Sequence, residues 1–156
     1  MNAIEILKED HQEALGLLGE LELADQGPGA APPDTEGFDR LSEMLELHMK
    51  IEEEFLYPVI EELEEARGLI EESYEEHERV EELLVRISTR APSRQEFQDL
   101  LVQLRDSLED HIRKEEDELF PKVEETLDRE ELDVLGSRIE ELKRGSQVAA
   151  PAVRRR

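Results

Sequence analysis

The residues able to carry chemistry in this chain are few, and they repeat. His48 and Glu52 are followed by Glu53, Leu56, Tyr57 and Pro58; His111 and Glu115 are followed by Glu116, Leu119, Phe120 and Pro121 at the same offsets. The two remaining histidines each follow an acid, in Asp10-His11 and Glu76-His77, with Leu17-Leu18 and Leu83-Leu84 downstream. Each half of the chain therefore offers one lone His and one His-x3-Glu. Residues four apart on a helix lie about 40° apart around the axis, one turn along. His48 and Glu52 can thus reach one interior point, and so can His111 and Glu115. Two carboxylates there are costly without positive charge, and two bridging metal ions supply it. Each ion takes two imidazole nitrogens and shares both carboxylates. A bridging oxygen then leaves roughly one position of an octahedron open on each. The donors suit iron, with manganese or zinc as weaker candidates.

The elements that must position these groups are helices. Helix formers dominate, and β-branched or aromatic clusters are scarce. Apolar periodicity marks helices over about 2–25, 35–66, 69–90, 93–127 and 128–145. A Gly/Pro-rich loop, Gln26 to Pro33, follows the first, and Asp34 or Thr35 can cap the second. Gly68 suits the end of the second helix, and Ala91-Pro92 breaks the third. Ser93 to Glu96 and Asp128 to Glu131 read as capping boxes. The second helix has a seam of Phe38, Leu41, Leu45, His48, Glu52, Phe55 and Val59. The fourth repeats it with Phe97, Leu101, Leu104, Leu108, His111, Glu115 and Leu119. Steps of three and four are a bundle-core pattern. The fold class expected is all-α: an up-down-up-down four-helix bundle with an additional short C-terminal helix. Residues 1–145 form the bundle and fifth helix; 146–156 read as a disordered basic tail. The fifth seam, Leu132, Leu135, Ile139 and Leu142, asks for a surface, either its own bundle or a second copy.

Composition narrows the function classes. The 156 residues include 43 Asp+Glu and 19 Lys+Arg, a formal net charge of −24. Such a chain repels a phosphate backbone, so no nucleic-acid partner is expected. It contains no Cys, which excludes thiolate zinc, iron–sulfur ligation and thiol catalysis. No apolar run nears the roughly 18 residues of a membrane span, and the start lacks a leader pattern, so a cytoplasmic protein is expected. No nucleophile triad or phosphate-binding loop is present.

On Asp10-His11, His48-x3-Glu52-Glu53, Glu76-His77 and His111-x3-Glu115-Glu116, in that order, residues 3–125 resemble the hemerythrin-like family, or HHE cation-binding domain. The resemblance implies a four-helix bundle with a non-haem di-iron centre: two iron ions with a bridging oxo or hydroxo ligand, binding O2 or a related small molecule such as NO. It assigns His11, His48, His77 and His111 as terminal ligands and Glu52 and Glu115 as bridges. Oxygen-carrying members have a second His where this chain has Glu81, and a His-x4-Asp spacing on the fourth helix. The resemblance therefore points toward redox chemistry, sensing or iron handling more than reversible O2 carriage.

Three functions follow for test: a small-ligand binding or sensing protein; an enzyme acting on peroxide, NO or ferrous iron; and a metal-free helical interaction module. Among neighbouring residues, Glu81 is read as exposed rather than a seventh ligand, and Tyr74 as a boundary residue rather than a donor to a bound ligand. Tyr57 and Phe120 are read as packing, and Met44 and Met49 as core filler. Pro58 and Pro121 are expected to kink their helices. Asp10 and Glu76, about 100° around the helix from their histidines, are read as surface acids rather than groups orienting a ligand.

Overall fold

The computed structural model describes residues 1–24, 35–89 and 93–154, with side chains over 1–23, 36–88 and 93–146. All regular structure among them is helical: α1 (Ala3–Ala24), α2 (Thr35–Ile51), α3 (Tyr57–Ile60), α4 (Arg67–Thr89), α5 (Arg94–Lys114), α6 (Phe120–Thr126) and α7 (Arg129–Arg154). A π-helical turn, Glu52–Leu56, joins α2 to α3, and another, Glu115–Leu119, joins α5 to α6. The four long rods pack in a closed ring, α1 on α2, α2 on α4, α4 on α5 and α5 on α1, and α7 lies on α1. This is the expected four-helix bundle with an added helix. The fifth seam packs on its own bundle, where Leu132, Leu135 and Ile139 are buried. No helix among the described residues is long and apolar enough to cross a membrane.

The helix starts follow local chemistry. Ser93 accepts the Glu96 N–H at 3.2 Å. Asp128 and Glu131 cap reciprocally, at 2.8 and 3.0 Å. Asn2 and Glu5 form a third such box, unanticipated, at 2.9 and 3.1 Å. The expected Gln26–Pro33 loop, the Asp34 cap and the Ala91-Pro92 break lie outside the described residues.

Three boundaries differ from expectation. The second rod ends at Ile60 rather than Ala66, because Leu63 turns to extended backbone, with ψ 122°. Gly145 does not stop α7, which continues to Arg154; the glycine is not in the left-handed conformation a stop would use. The π turns move the seam. Leu56, Tyr57 and Ile60, not Phe55 and Val59, are the fully buried positions beyond Glu52; the five-residue step to Tyr57 is the one the π turn makes possible, while Leu119 keeps its expected place beyond Glu115. Pro58 and Pro121 sit just past these turns, where a missing N–H already interrupts the α-helical ladder.

Two apolar clusters fill the bundle. One, at the α3–α6–α7 end, holds Ile4, Leu7, Ile51, Leu56, Ile70, Leu119 and Ile139. The other holds Leu18, Leu41, Leu45, Met49, Leu84, Leu101 and Leu108. Met49 is thus core, and Met44 packs against the same cluster. Every rod runs apolar, polar, apolar, and the four polar stretches meet in one buried layer.

Candidate metal centre

That layer contains His11, His48, Glu52, His77, His111 and Glu115, none more than 5% exposed. The structure brings all six together, in two groups that share both glutamates. His11, His48, Glu52 and Glu115 form one group, and His77, His111, Glu52 and Glu115 the other; in each, four ligand atoms lie within 4.8 Å of one another. Glu52 turns Oε2 toward His48 Nε2 (3.1 Å) and Oε1 toward His77 Nε2 (3.1 Å). Glu115 turns Oε1 toward His11 Nε2 (3.0 Å) and Oε2 toward His111 Nε2 (3.2 Å). Each carboxylate therefore offers one oxygen to each histidine pair. The pairs match in geometry: His11–His48 ring centres are 4.9 Å apart at 66°, and His77–His111 centres 4.8 Å apart at 67°.

A second ring of carboxylates fixes the histidines. His11 Nδ1 donates to Glu116 (2.7 Å), His77 Nδ1 to Glu53 (2.7 Å), His48 Nδ1 to Asp10 (3.0 Å) and His111 Nδ1 to Glu76 (2.7 Å). With every Nδ1 bound to an outer carboxylate, every Nε2 faces inward, the ring orientation that suits metal-bound imidazoles once the Nε2 protons are displaced. Asp10 and Glu76 are not the surface acids expected: they are 3% and 8% exposed, and they hold the His48 and His111 rings. Each points away from the histidine beside it in sequence, as expected, but toward a histidine on the neighbouring helix. Glu53 and Glu116 likewise reach histidines on other helices, and their repetition directly after Glu52 and Glu115 is the sequence signal for that role. Lys143 and Lys114 close the network on Asp10 and Glu76, at 2.5 and 2.6 Å.

The electrostatics call for cations. Burial opposes charge on the histidines, yet the glutamates outweigh it. Glu115 and Glu52 hold His11 up at about 10, and Glu52 and Asp10 hold His48 at about 9. Glu52, despite burial, is held well below the carboxylate range by His48, His11 and His111. Protons alone satisfy the site poorly. His77 Nε2 and His111 Nε2 lie 3.2 Å apart, room for one proton between them and not one each. His48 Nε2 and Glu52 Oε2 face each other at 3.1 Å but are not aligned for a hydrogen bond, and neither has another hydrogen-bond partner, a costly state for buried polar atoms. With the histidines neutral, as metal binding requires, six carboxylates and two lysine ammoniums leave four net negative charges, the complement of two divalent ions. These residues are positioned to hold metal ions.

The surroundings break the symmetry. Tyr57 O–H donates to Glu115 Oε2 at 2.8 Å and lies 3.2 Å from His77 Nε2. It is thus a site residue and not packing alone. In a plain α-helix a residue five beyond Glu52 sits about 140° away; the π turn swings Tyr57 back toward the centre. Phe120, its counterpart, stacks on the His11 ring at 5.7 Å and 4°. Burial, Glu52 and Glu115 all push the Tyr57 phenol well above its ordinary value. Tyr74 is a boundary residue, 41% exposed, edge-on to Tyr57. Glu81 is exposed. A cavity of about 10 Å³ lies against all four histidines, walled by Leu45, Met49, Val80 and Leu108 among others.

Comparison with known proteins agrees with the geometry. A cyanobacterial protein described as a DNA nickase, from Nostoc sp., is 31% identical over 131 residues; these are 84% of this chain and 36% of that protein. The chain thus spans about a third of that relative's length. The crystal structure of a hemerythrin HHE cation-binding domain-containing protein from Mycobacterium kansasii superposes with a TM-score of 0.78 at 25% identity, covering 99% of this chain and 93% of the other. The sequence model of the hemerythrin HHE cation-binding domain matches residues 2–123. With that match spanning most of its length, the chain belongs to the hemerythrin HHE cation-binding domain family.

Proposed function

We propose that His11, His48, His77 and His111, with Glu52 and Glu115 as bridges, hold two iron ions and an oxo or hydroxo bridge, and that the centre binds or senses a small ligand such as O2, NO or peroxide. One observation carries this most: all four Nε2 atoms converge on two carboxylates that each give one oxygen to either pair. The imidazole and carboxylate donors suit iron over softer or purely oxygen-seeking ions. Bound iron would supply a redox-active Lewis acid. The chain does the rest. The outer carboxylates hold the rings in register, and the apolar wall keeps bulk water from the histidines. The cavity of about 10 Å³ against the histidines leaves little empty space beside the site, which favours a small ligand.

DNA cleavage is no part of this reading, since a chain of formal charge −24 repels a phosphate backbone. A second reading, peroxide or NO turnover, is favoured by the Tyr57 hydroxyl, a proton donor beside one histidine pair. Metal analysis and an absorption spectrum of aerobically purified protein test the first reading. Two irons per chain with charge-transfer bands of an oxygen-bridged ferric pair are expected. No metal after anaerobic ferrous reconstitution, with an unchanged helical melt, would leave an interaction module instead. Steady consumption of peroxide or NO, against a reversible adduct, separates enzyme from binder.

A further inference from the structure

We propose that Lys143 makes the fifth helix a positioning element for the His11–His48 half of the centre, so that docking of α7 and metal binding in that half reinforce each other; the inference rests on the metal reading above. Helix α7 is seated closely on the start of the chain. Leu132, Leu135 and Ile139 are buried in one cluster with Ala3, Ile4 and Leu7. Gly136 meets the backbone of residues 1–3 so closely that a Cβ there would lie 2.4 Å from the Met1 carbonyl oxygen. Seven residues along, Lys143 Nζ reaches Asp10 Oδ1 at 2.5 Å, while Asp10 Oδ2 accepts the His48 Nδ1–H at 3.0 Å. A continuous chain of charge-assisted bonds thus runs from α7 through α1 to an inward-facing imidazole on α2.

The other half is built to do without such help. Glu76 holds His111, and its cation is Lys114, three residues from His111 on the same helix. The repeat offset of 63 places Ile51 where Lys114 would recur, and Ile51 is fully buried in the apolar cluster. The first half has no lysine of its own at that position, and α7 brings one. Asp10 is buried with Lys143 in place, and without that ammonium the His48 N–H would be its one remaining side-chain hydrogen bond among the described residues. Asp10 would then turn toward water, which releases the His48 ring. Coupling of this kind is reciprocal: whatever favours docked α7 favours metal beside His48, and metal there holds α7 down.

The test is anaerobic ferrous titration of the full chain, followed by amide hydrogen exchange with and without iron. The unaltered protein should bind two ferrous ions, with slower exchange across α7 when loaded. In Lys143→Met the ion on the His11–His48 side should lose affinity, by up to about 10- to 100-fold, the range for removing the group that orients a ligand directly. Exchange in α7 should then no longer respond to iron. Lys143→Arg should restore both. Lys114→Met should weaken iron binding while leaving the α7 response in place. Iron binding and α7 protection in Lys143→Met equal to those of the unaltered chain would overturn the coupling while the metal reading stands. The same loss of α7 response in Lys114→Met would also overturn it, because the effect would not belong to one half. An unaltered chain that takes up no iron would defeat the metal reading and this inference together.

Discussion

The two histidine pairs have the same inner geometry and different surroundings. Ring separations of 4.9 and 4.8 Å and angles of 66° and 67° differ by less than matters chemically. Both pairs draw on the same two glutamates, and both have an outer carboxylate on each ring. One pair has a tyrosine hydroxyl on its shared glutamate; the other has a phenyl ring stacked on His11. One takes its lysine from its own helix, and the other from α7. The internal repeat thus sets the inner donors, while positions five residues on, or on another element, make the halves inequivalent. An inequivalent pair can bind a ligand at one metal rather than both.

The comparison breaks hardest at the shared glutamates. Glu115→Ala removes one oxygen from each group and leaves the Tyr57 hydroxyl without its nearest acceptor. Bound metal should fall from two per chain to less than one. His77→Ala strips one group only and should keep about one. Equal metal content in the two variants, by elemental analysis, would show that the glutamates do not bridge.

Titration gives the next largest effect, and its sign differs between the metal-free and loaded protein. In the metal-free chain His11 at about 10 and His48 at about 9 lie above their ordinary 6.5. Their stabilisation is complete below pH 6.5 and is lost as pH rises through 9 to 10. Glu76, held at about 2 by His111 and Lys114 against burial, lies below its ordinary 4.5. Its contribution is present above 4.5 and is lost toward pH 2. The metal-free protein should therefore melt highest between about pH 4.5 and 6.5. Metal must displace the histidine protons, so the loaded protein should gain stability from pH 6 to 9 and release protons on loading. Thermal melts across pH, with and without chelator, check this; parallel profiles would mean that metal and protons do not compete.

How much of this was legible in the sequence depends on distance along the chain. The six inner residues were legible because each falls on an apolar seam, where a polar group stands out. The bundle and its capping boxes followed from the same periodicity. Asp10 and Glu76 were misplaced because a position on one helix says nothing of which neighbouring helix it faces. Tyr57 was misplaced because the seam was extended at α-helical pitch through a turn that is π-helical. Glu52 to Pro58 and Glu115 to Pro121, the same six-residue step twice, was the signal for that change of pitch. Lys143 carried no signal, since nothing local ties a lysine on the fifth helix to an acid on the first.

The outer carboxylates test whether the halves remain alike one layer out. Asp10→Asn and Glu76→Gln each keep the shape and remove the charge that holds a ring. Each should cost about 10- to 100-fold in metal affinity, confined to its own pair. Calorimetric titration resolves the two. A loss shared equally by both ions in either variant would mean that the outer ring acts on the centre as a whole.

The smallest change sharpens the comparison instead of breaking it. Tyr57→Phe gives both halves a phenyl ring at the repeated position and removes one buried hydroxyl. The lost hydrogen bond should cost about 1–3 kcal/mol of stability, because Glu115 Oε2 is left short of a donor inside the bundle. Metal content should stay at two, since no other inner donor is touched. The readout is the iron spectrum. The unaltered protein should give two distinct iron environments by Mössbauer spectroscopy, and Tyr57→Phe should draw them together. Phe120→Tyr offers the reverse test, placing a hydroxyl where the His11 ring is now stacked. If the two environments stay equally distinct in Tyr57→Phe, the inequivalence comes from the lysines and α7, and the tyrosine is a local donor with no hold on the metals' electronic difference.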